Sequence, residues 1–216
     1  MVNEKERYIQ ELEDTIKKFL EPIKGVPYPI VIKALTGYQV FKFNSVHNEK
    51  YLSLLIKASK LAGFNAAKYG IEAKRPNEAG NKIEPYVIEA LNKVGINANK
   101  PQTASGKLKA TGYPDIEMKY DNIYSYLDCK TFAPESKDSS FRAFYLSPSK
   151  DPKITRNAYH FILSYELIYK SNLYYPVSWH LYDLYGLSVQ VKYEFNASNR
   201  ELYSEKLLLA EGKISL

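Results

Sequence analysis

Hydrophobic positions in the first twenty residues recur at helical spacing. Tyr8, Ile9, Leu12, Ile16, Phe19 and Leu20 fall at i, i+3, i+4 intervals before Pro22, which predicts an amphipathic helix over residues 4–20. VPYPIVIKALTGYQVFKF (26–43) is mixed, and a short strand is expected around Val40 to Phe43. The pattern is helical again over about residues 48–68, with Leu52, Leu55, Ile56 and Leu61 inward and Gly70 as the stop. A third helix is expected from Glu78 to Lys93. Ile83, Val87, Ile88 and Leu91 share its apolar face, and Gly95 closes it. Pro85 limits that helix, by placing its regular part after Asn81 or by bending it.

The period then shortens to two. KPQTASGKLKATG (100–112) is polar and basic, a loop or an edge strand, and strands follow at 115–120 and 123–130. Further strand-like runs are YHFILSYELIY (159–169), VSWHLYDL (177–184) and LSVQVKYEF (187–195), before a last amphipathic piece, NRELYSEKLLL. Helices first, a sheet in the middle and helices flanking it predict an α/β or α+β chain around a central mixed sheet. With 216 residues it is expected to be one domain. Within it, residues 1–75 form a mainly helical extension, and residues 76–216 hold the core.

The pair of strands at 115–130 carries unusual charge. Asp121-Asn122 suits a two-residue turn, since both residue types tolerate positive φ. With that turn Tyr120 faces Ile123, Glu117 faces Tyr126, and Asp115 faces Asp128. Directly paired side chains share a face, with Cβ atoms roughly 4.5–5.5 Å apart. Alternation puts Tyr124, Tyr126, Asp128 and Lys130 on one face and Ile123, Ser125, Leu127 and Cys129 on the other. Two carboxylates therefore meet side by side with Lys130 next along. Opposed like charges destabilise a sheet unless something positive lies between them. Mg²⁺ fits, being a hard ion that takes carboxylate oxygen and keeps waters. Lys130 could then orient an attacking water or stabilise charge developing on a phosphate. A one-residue slip would put the aspartates on opposite faces. A surface hairpin with solvated charges is the alternative.

Composition narrows the function classes. The formal charge of +6 favours a polyanionic partner. No apolar run reaches the length of a membrane span. The charged N-terminus is no signal peptide, and the single cysteine fits a reducing cytoplasm. His47, His160 and His180 lack ligand spacing, so zinc is not expected. No GxxxxGKS-type loop is present, so no nucleotide cofactor is expected.

An acidic-x-Lys triplet is unspecific by itself: the chain has six, including Glu117–Lys119 and Asp151–Lys153. Only Asp128–Lys130 ends an alternating strand paired with a Pro-Asp strand start. Pro114-Asp115, followed by Asp128-Cys129-Lys130 on the next strand, resembles the PD-(D/E)xK nuclease superfamily. Gly80-Asn81-Lys82-Ile83-Glu84 resembles the helix that often supplies those enzymes with another carboxylate. Size and element order are most similar to type II restriction endonucleases. The motif match covers residues 80–130, and beyond it only the layout is similar.

The resemblance implies a central mixed sheet flanked by helices, with double-stranded DNA over the polar face of the hairpin. It implies that Asp115 and Asp128 hold Mg²⁺, that Lys130 serves the attacking water, and that Glu84 is an outer carboxylate. Glu78 competes for that last role because Pro85 follows Glu84. It also implies a prokaryotic, cytoplasmic homodimer. The N-terminal helices either build the dimer interface or cap the sheet. A repair or junction-resolving nuclease and a non-catalytic DNA-binding protein are the competing functions.

Candidate DNA contacts follow the same layout. Lys107 and Lys109 flank the approach to the hairpin, and Thr131 lies just past Lys130. Arg142 and Lys150 fall in a Ser-, Lys- and aromatic-rich segment at 135–157. Asn196, Ser198 and Asn199 interrupt the late strand pattern, as a base-reading loop or as the N-cap of the last helix.

Overall fold

The computed structural model describes residues 4–21, 23–136, 144, 146–191, 198–202 and 206–207. Helix α1 (Glu4–Leu20) is followed by strand β1 (Ile23–Pro27), α2 (Tyr28–Thr36), α3 (Glu49–Tyr69) and α4 (Pro76–Lys93). Then come β2 (Asn97–Asn99), β3 (Ile116–Tyr120), β4 (Ile123–Phe132), β5 (Tyr159–Lys170), β6 (Leu173–Asp183), β7 (Ser188–Val191) and α5 (Asn199–Leu202). Met1–Gly25 with Gln190–Leu216 forms one compact unit, and Val26–Val189 forms another. In the first unit α1 buries none of its residues, and Glu4 and Glu6 at its start oppose Lys17 and Lys18 at its end, as the helix dipole favours.

The second unit is built on a five-stranded sheet of order β2-β3-β4-β5-β6; β1 and β7 pair separately. β4 and β5 are parallel, and the other neighbours are antiparallel, so the sheet is mixed as expected. Its two faces are covered differently. Ile116, Leu127, Cys129, Phe161, Leu163 and Tyr165 pack with α3 and α4 in the larger core. Burial of such aliphatic and aromatic side chains contributes roughly 1.5–3 kcal/mol each. Tyr126 and Ile162, from the opposite face, pack with Tyr28 and Ile32 of α2 and with Ile154 in a smaller one.

Several elements differ from expectation. Within residues 26–43, Tyr28–Thr36 forms helix α2, and Val40 makes only an isolated bridge to Ala158. The β-branched run resembles a strand, but Pro29 stands in the first helical turn and Gly37, at φ 80°, caps the end. On α3 the buried stripe is Tyr51, Leu55, Ala58, Ala62 and Ala66, while Leu52, Ile56 and Leu61 lie at its margins. Small residues let the helix approach the sheet closely, and Tyr165 donates to the Ser59 carbonyl at 2.9 Å. α4 runs through Pro85, which is exposed, so only one helical hydrogen bond is forfeited. β6 starts four residues before the expected Val177, with the sheet's register shift beside it at Glu166/Leu167.

Candidate active site

The hairpin has the expected register. Ile116 pairs with Leu127, Glu117 with Tyr126 and Tyr120 with Ile123, leaving Asp121-Asn122 as the turn, with Asp121 at φ 49°. Positive φ is tolerated by aspartate because its short polar side chain can satisfy the local backbone. Asp115 stands one residue before β3, and its Oδ2 accepts a 2.8 Å hydrogen bond from the Cys129 amide. It is thereby held beside Asp128, whose carboxyl it helps to raise.

Asp128 is 3% exposed, and the Lys130 ammonium lies 2.6 Å from its Oδ2. That oxygen has close opposite charge but no aligned hydrogen-bond donor. Burial, then the neighbouring Asp115, pushes the Asp128 carboxyl well above the usual carboxylate range, against the pull of Lys130. Burial works to lower Lys130, but Asp128 and Asp115 outweigh it, so the side chain is held as an ammonium. Such a group can orient water or meet negative charge. Cys129 is buried on the other face, where burial pushes its thiol up, and it takes no part in this chemistry.

α4 brings Glu84 toward the pair. Its carboxyl is half-buried and is raised by burial and by Asp115, while Lys100, Lys153 and Lys130 offset the shift; Lys100 Nζ is 3.9 Å away. Glu78 instead is exposed and accepts from the Lys74 amide at 3.1 Å, at the start of α4. Among the described residues no three His, Cys, Asp or Glu side chains converge as a metal cluster. Two carboxylates do converge, one with a buried oxygen lacking an aligned donor. This donor set suits a hard cation that keeps most of its ligands as water or phosphate.

The candidate DNA contacts are dispersed. Lys107 is exposed, and Lys109 donates to the Asp151 carbonyl at 2.9 Å and pairs with its carboxylate at 3.4 Å. Thr131 is half-buried beside α4: a Cβ built on Gly80 would lie 3.3 Å from its Oγ1. Lys150 is exposed. Ser198 caps α5, its hydroxyl donating to Glu201 at 2.6 Å and accepting from the Glu201 amide at 3.3 Å. Arg142, Asn196 and the side chain of Asn199 lie outside the described residues.

Two basic residues near the site are not among the candidate site residues read from the chain. Lys153 is buried between elements that are far apart in sequence, and Lys100, just after β2, lies 3.9 Å from Glu84. Arg156 also meets the sheet's polar face: its Nε is 3.1 Å from Glu117, and its guanidinium stacks on Tyr124 at 4.4 Å. The Glu117–Lys119 triplet is thus engaged in packing, unlike Asp128–Lys130.

Residues 22–206 match the family described as "Type II restriction enzyme MjaV family". The type II restriction enzyme MjaV of Methanocaldococcus jannaschii is 37% identical over 222 residues, covering 94% of this chain and 96% of that protein. No solved structure matches the chain. A hairpin with two facing aspartates and a lysine, on a mixed sheet matched over nearly its whole length by restriction enzymes, leads to one assignment: the chain belongs to the type II restriction enzyme MjaV family.

Proposed function

We propose that this chain is a Mg²⁺-dependent endonuclease that recognises a short double-stranded DNA sequence and hydrolyses a phosphodiester bond in each strand. The observation that carries the proposal is the shared face of Asp115, Asp128 and Lys130, in a chain of this family. Asp115 and Asp128 would hold the ion, which when bound supplies Lewis-acid stabilisation of the phosphate and an acidified water. Lys130, charged and half-buried, orients the attacking water and meets the charge gathering on the phosphoryl oxygens. Glu84 acts from outside the ligand pair, through water or by raising the local negative potential.

Lys107, Lys109, Thr131 and Lys150 contact phosphate, with Arg142 reaching a base edge or phosphate. Asn196, Ser198 and Asn199 approach the bases. A homodimer, with one site for each strand, suits the cutting of a palindrome. Incubation of a long unmodified phage DNA with Mg²⁺ or EDTA tests the function. Discrete bands in Mg²⁺ alone are expected; a smear or branched-substrate preference would indicate a repair nuclease, and uncut DNA in both would refute cleavage.

A further inference from the structure

Asp151-Pro152-Lys153 repeats the acidic-x-Lys pattern outside any strand, yet its lysine is only 6% exposed. The ammonium donates to the Gly112 carbonyl at 2.7 Å and to the Pro114 carbonyl at 3.2 Å. Those carbonyls bracket Tyr113 and Pro114, the two residues that lead into Asp115. Burial lowers the Lys153 ammonium from its ordinary value, and Asp115, Glu84 and Asp128 act the other way, favouring its charge. Its neighbours tie down the preceding loop. Asp151 accepts from the Ser105 amide at 2.9 Å and the Ser105 hydroxyl at 2.8 Å, and the Pro152 carbonyl accepts from Ala104 at 2.9 Å. One short segment thus fastens both the 104–109 loop and the turn before β3.

We infer that Lys153 is a positioning residue for Asp115: by gripping the carbonyls of Gly112 and Pro114 it sets the turn that aims the Asp115 carboxylate at Asp128. This rests on the assignment of Asp115 and Asp128 as the ion-holding pair. A buried ammonium requires acceptors, and unpaired turn carbonyls require donors; Lys153 meets both needs at once. The Cys129 amide fixes one Asp115 oxygen from the side of β4, and Lys153 fixes the backbone from the other side. Supporting contacts of this kind typically hold ligands within the tolerance a metal site needs.

A positioning cation and a mere neighbouring charge have opposite signatures. Removal of a bystander cation strengthens divalent-ion binding, because the carboxylates become less neutralised. Removal of a positioning group weakens it, because the ligands lose their aim. The test is calorimetric Mn²⁺ binding to the intact chain and its variants, beside thermal melting and cleavage kinetics. For folded Lys153→Met the Mn²⁺ dissociation constant is expected to rise about 10- to 100-fold. Cleavage should fall with it and recover partly at high metal concentration. Lys153→Gln, which keeps an N–H donor without the charge, should fall between wild type and Lys153→Met. Unchanged or tighter Mn²⁺ binding by folded Lys153→Met would overturn the assignment. So would loss of cooperative melting in both variants, which would make Lys153 a core residue only. Asp128→Asn is the control: if it binds Mn²⁺ as wild type does, the ion-holding pair itself is misassigned.

Discussion

Asp115 and Cys129 are joined across the hairpin by a 2.8 Å hydrogen bond from the Cys129 amide to the Asp115 carboxylate. The bond uses backbone of β4 between Asp128 and Lys130 to fix a side chain contributed by the neighbouring turn. It makes the three charged groups one rigid unit, with the aspartates on adjacent strands and the lysine two residues along. Pre-organisation of this kind is what electrostatic catalysis requires.

Lys130 should matter for turnover more than for binding. Lys130→Met is expected to lower the single-turnover cleavage rate about 10²- to 10³-fold, the scale for losing one pre-placed donor. Affinity for the same DNA in Ca²⁺, measured by gel shift, should change only a few-fold. Lys130→Arg should restore little, because a planar fork does not replace a compact ammonium beside Asp128.

The two glutamates of α4 should separate cleanly. Glu84→Gln is expected to reduce cleavage about tenfold or more, as an outer partner of a metal site does. Glu78→Gln, at an exposed helix start, should leave cleavage rates within about twofold, the scale of a surface change. Equal effects in steady-state assays would remove Glu84 from the site.

Much of this arrangement was legible along the chain, for identifiable reasons. A two-residue Asp121-Asn122 turn leaves a single register, so the facing of Asp115 and Asp128 follows from counting. Alternation places Leu127 and Cys129 on one face and Asp128 and Lys130 on the other, but it does not give the burial of Tyr126 and Asp128, because both faces of β4 are covered. What could not be read depends on contacts distant in sequence. Lys153 is defined by carbonyls some 40 residues earlier. The alanine face of α3 is chosen by the close approach of Tyr165, whereas apolar spacing favours the larger leucines. Helix α2 escapes because Ile30, Val31 and Ile32 favour strands locally, while Tyr28 and Ile32 are buried against the sheet.

His160 gives the fold an acid weakness. It is fully buried, with the hydroxyls of Tyr28 and Tyr113 at 2.9 and 2.8 Å from Nδ1, and burial lowers its pKa to about 3. An unfolded histidine titrates near 6.5, so between those values the unfolded chain binds a proton that the folded one refuses. Stability therefore falls as pH drops through that window. Asp128, raised in the fold, acts in the opposite sense: its contribution is present at low pH and is lost as pH rises. In urea melts, the stability gap between wild type and His160→Phe should shrink by about 2 kcal/mol from pH 7.5 to pH 5. A constant gap would show that His160 does not govern the acid limb.

Gly70 is a backbone requirement. At φ 71° and ψ 162°, a Cβ there would lie 2.9 Å from Leu173 Cδ1 and 3.0 Å from the Tyr175 ring. Gly70→Ala should cost about 2–4 kcal/mol by strain and overpacking together. Gly106→Ala, also at positive φ but with open space around it, should cost only about 1 kcal/mol in the same melts.

The most direct test of the account is single-turnover cleavage by Asp128→Asn, with DNA binding measured in parallel in Ca²⁺. The substitution keeps the size of the side chain and removes the charge beside Asp115 and Lys130. The account predicts a folded protein that binds the recognised DNA and cuts it at least about a thousandfold more slowly in Mg²⁺. Cleavage at the wild-type rate would contradict it, and would place the chemistry of this chain away from the Asp115–Asp128 pair.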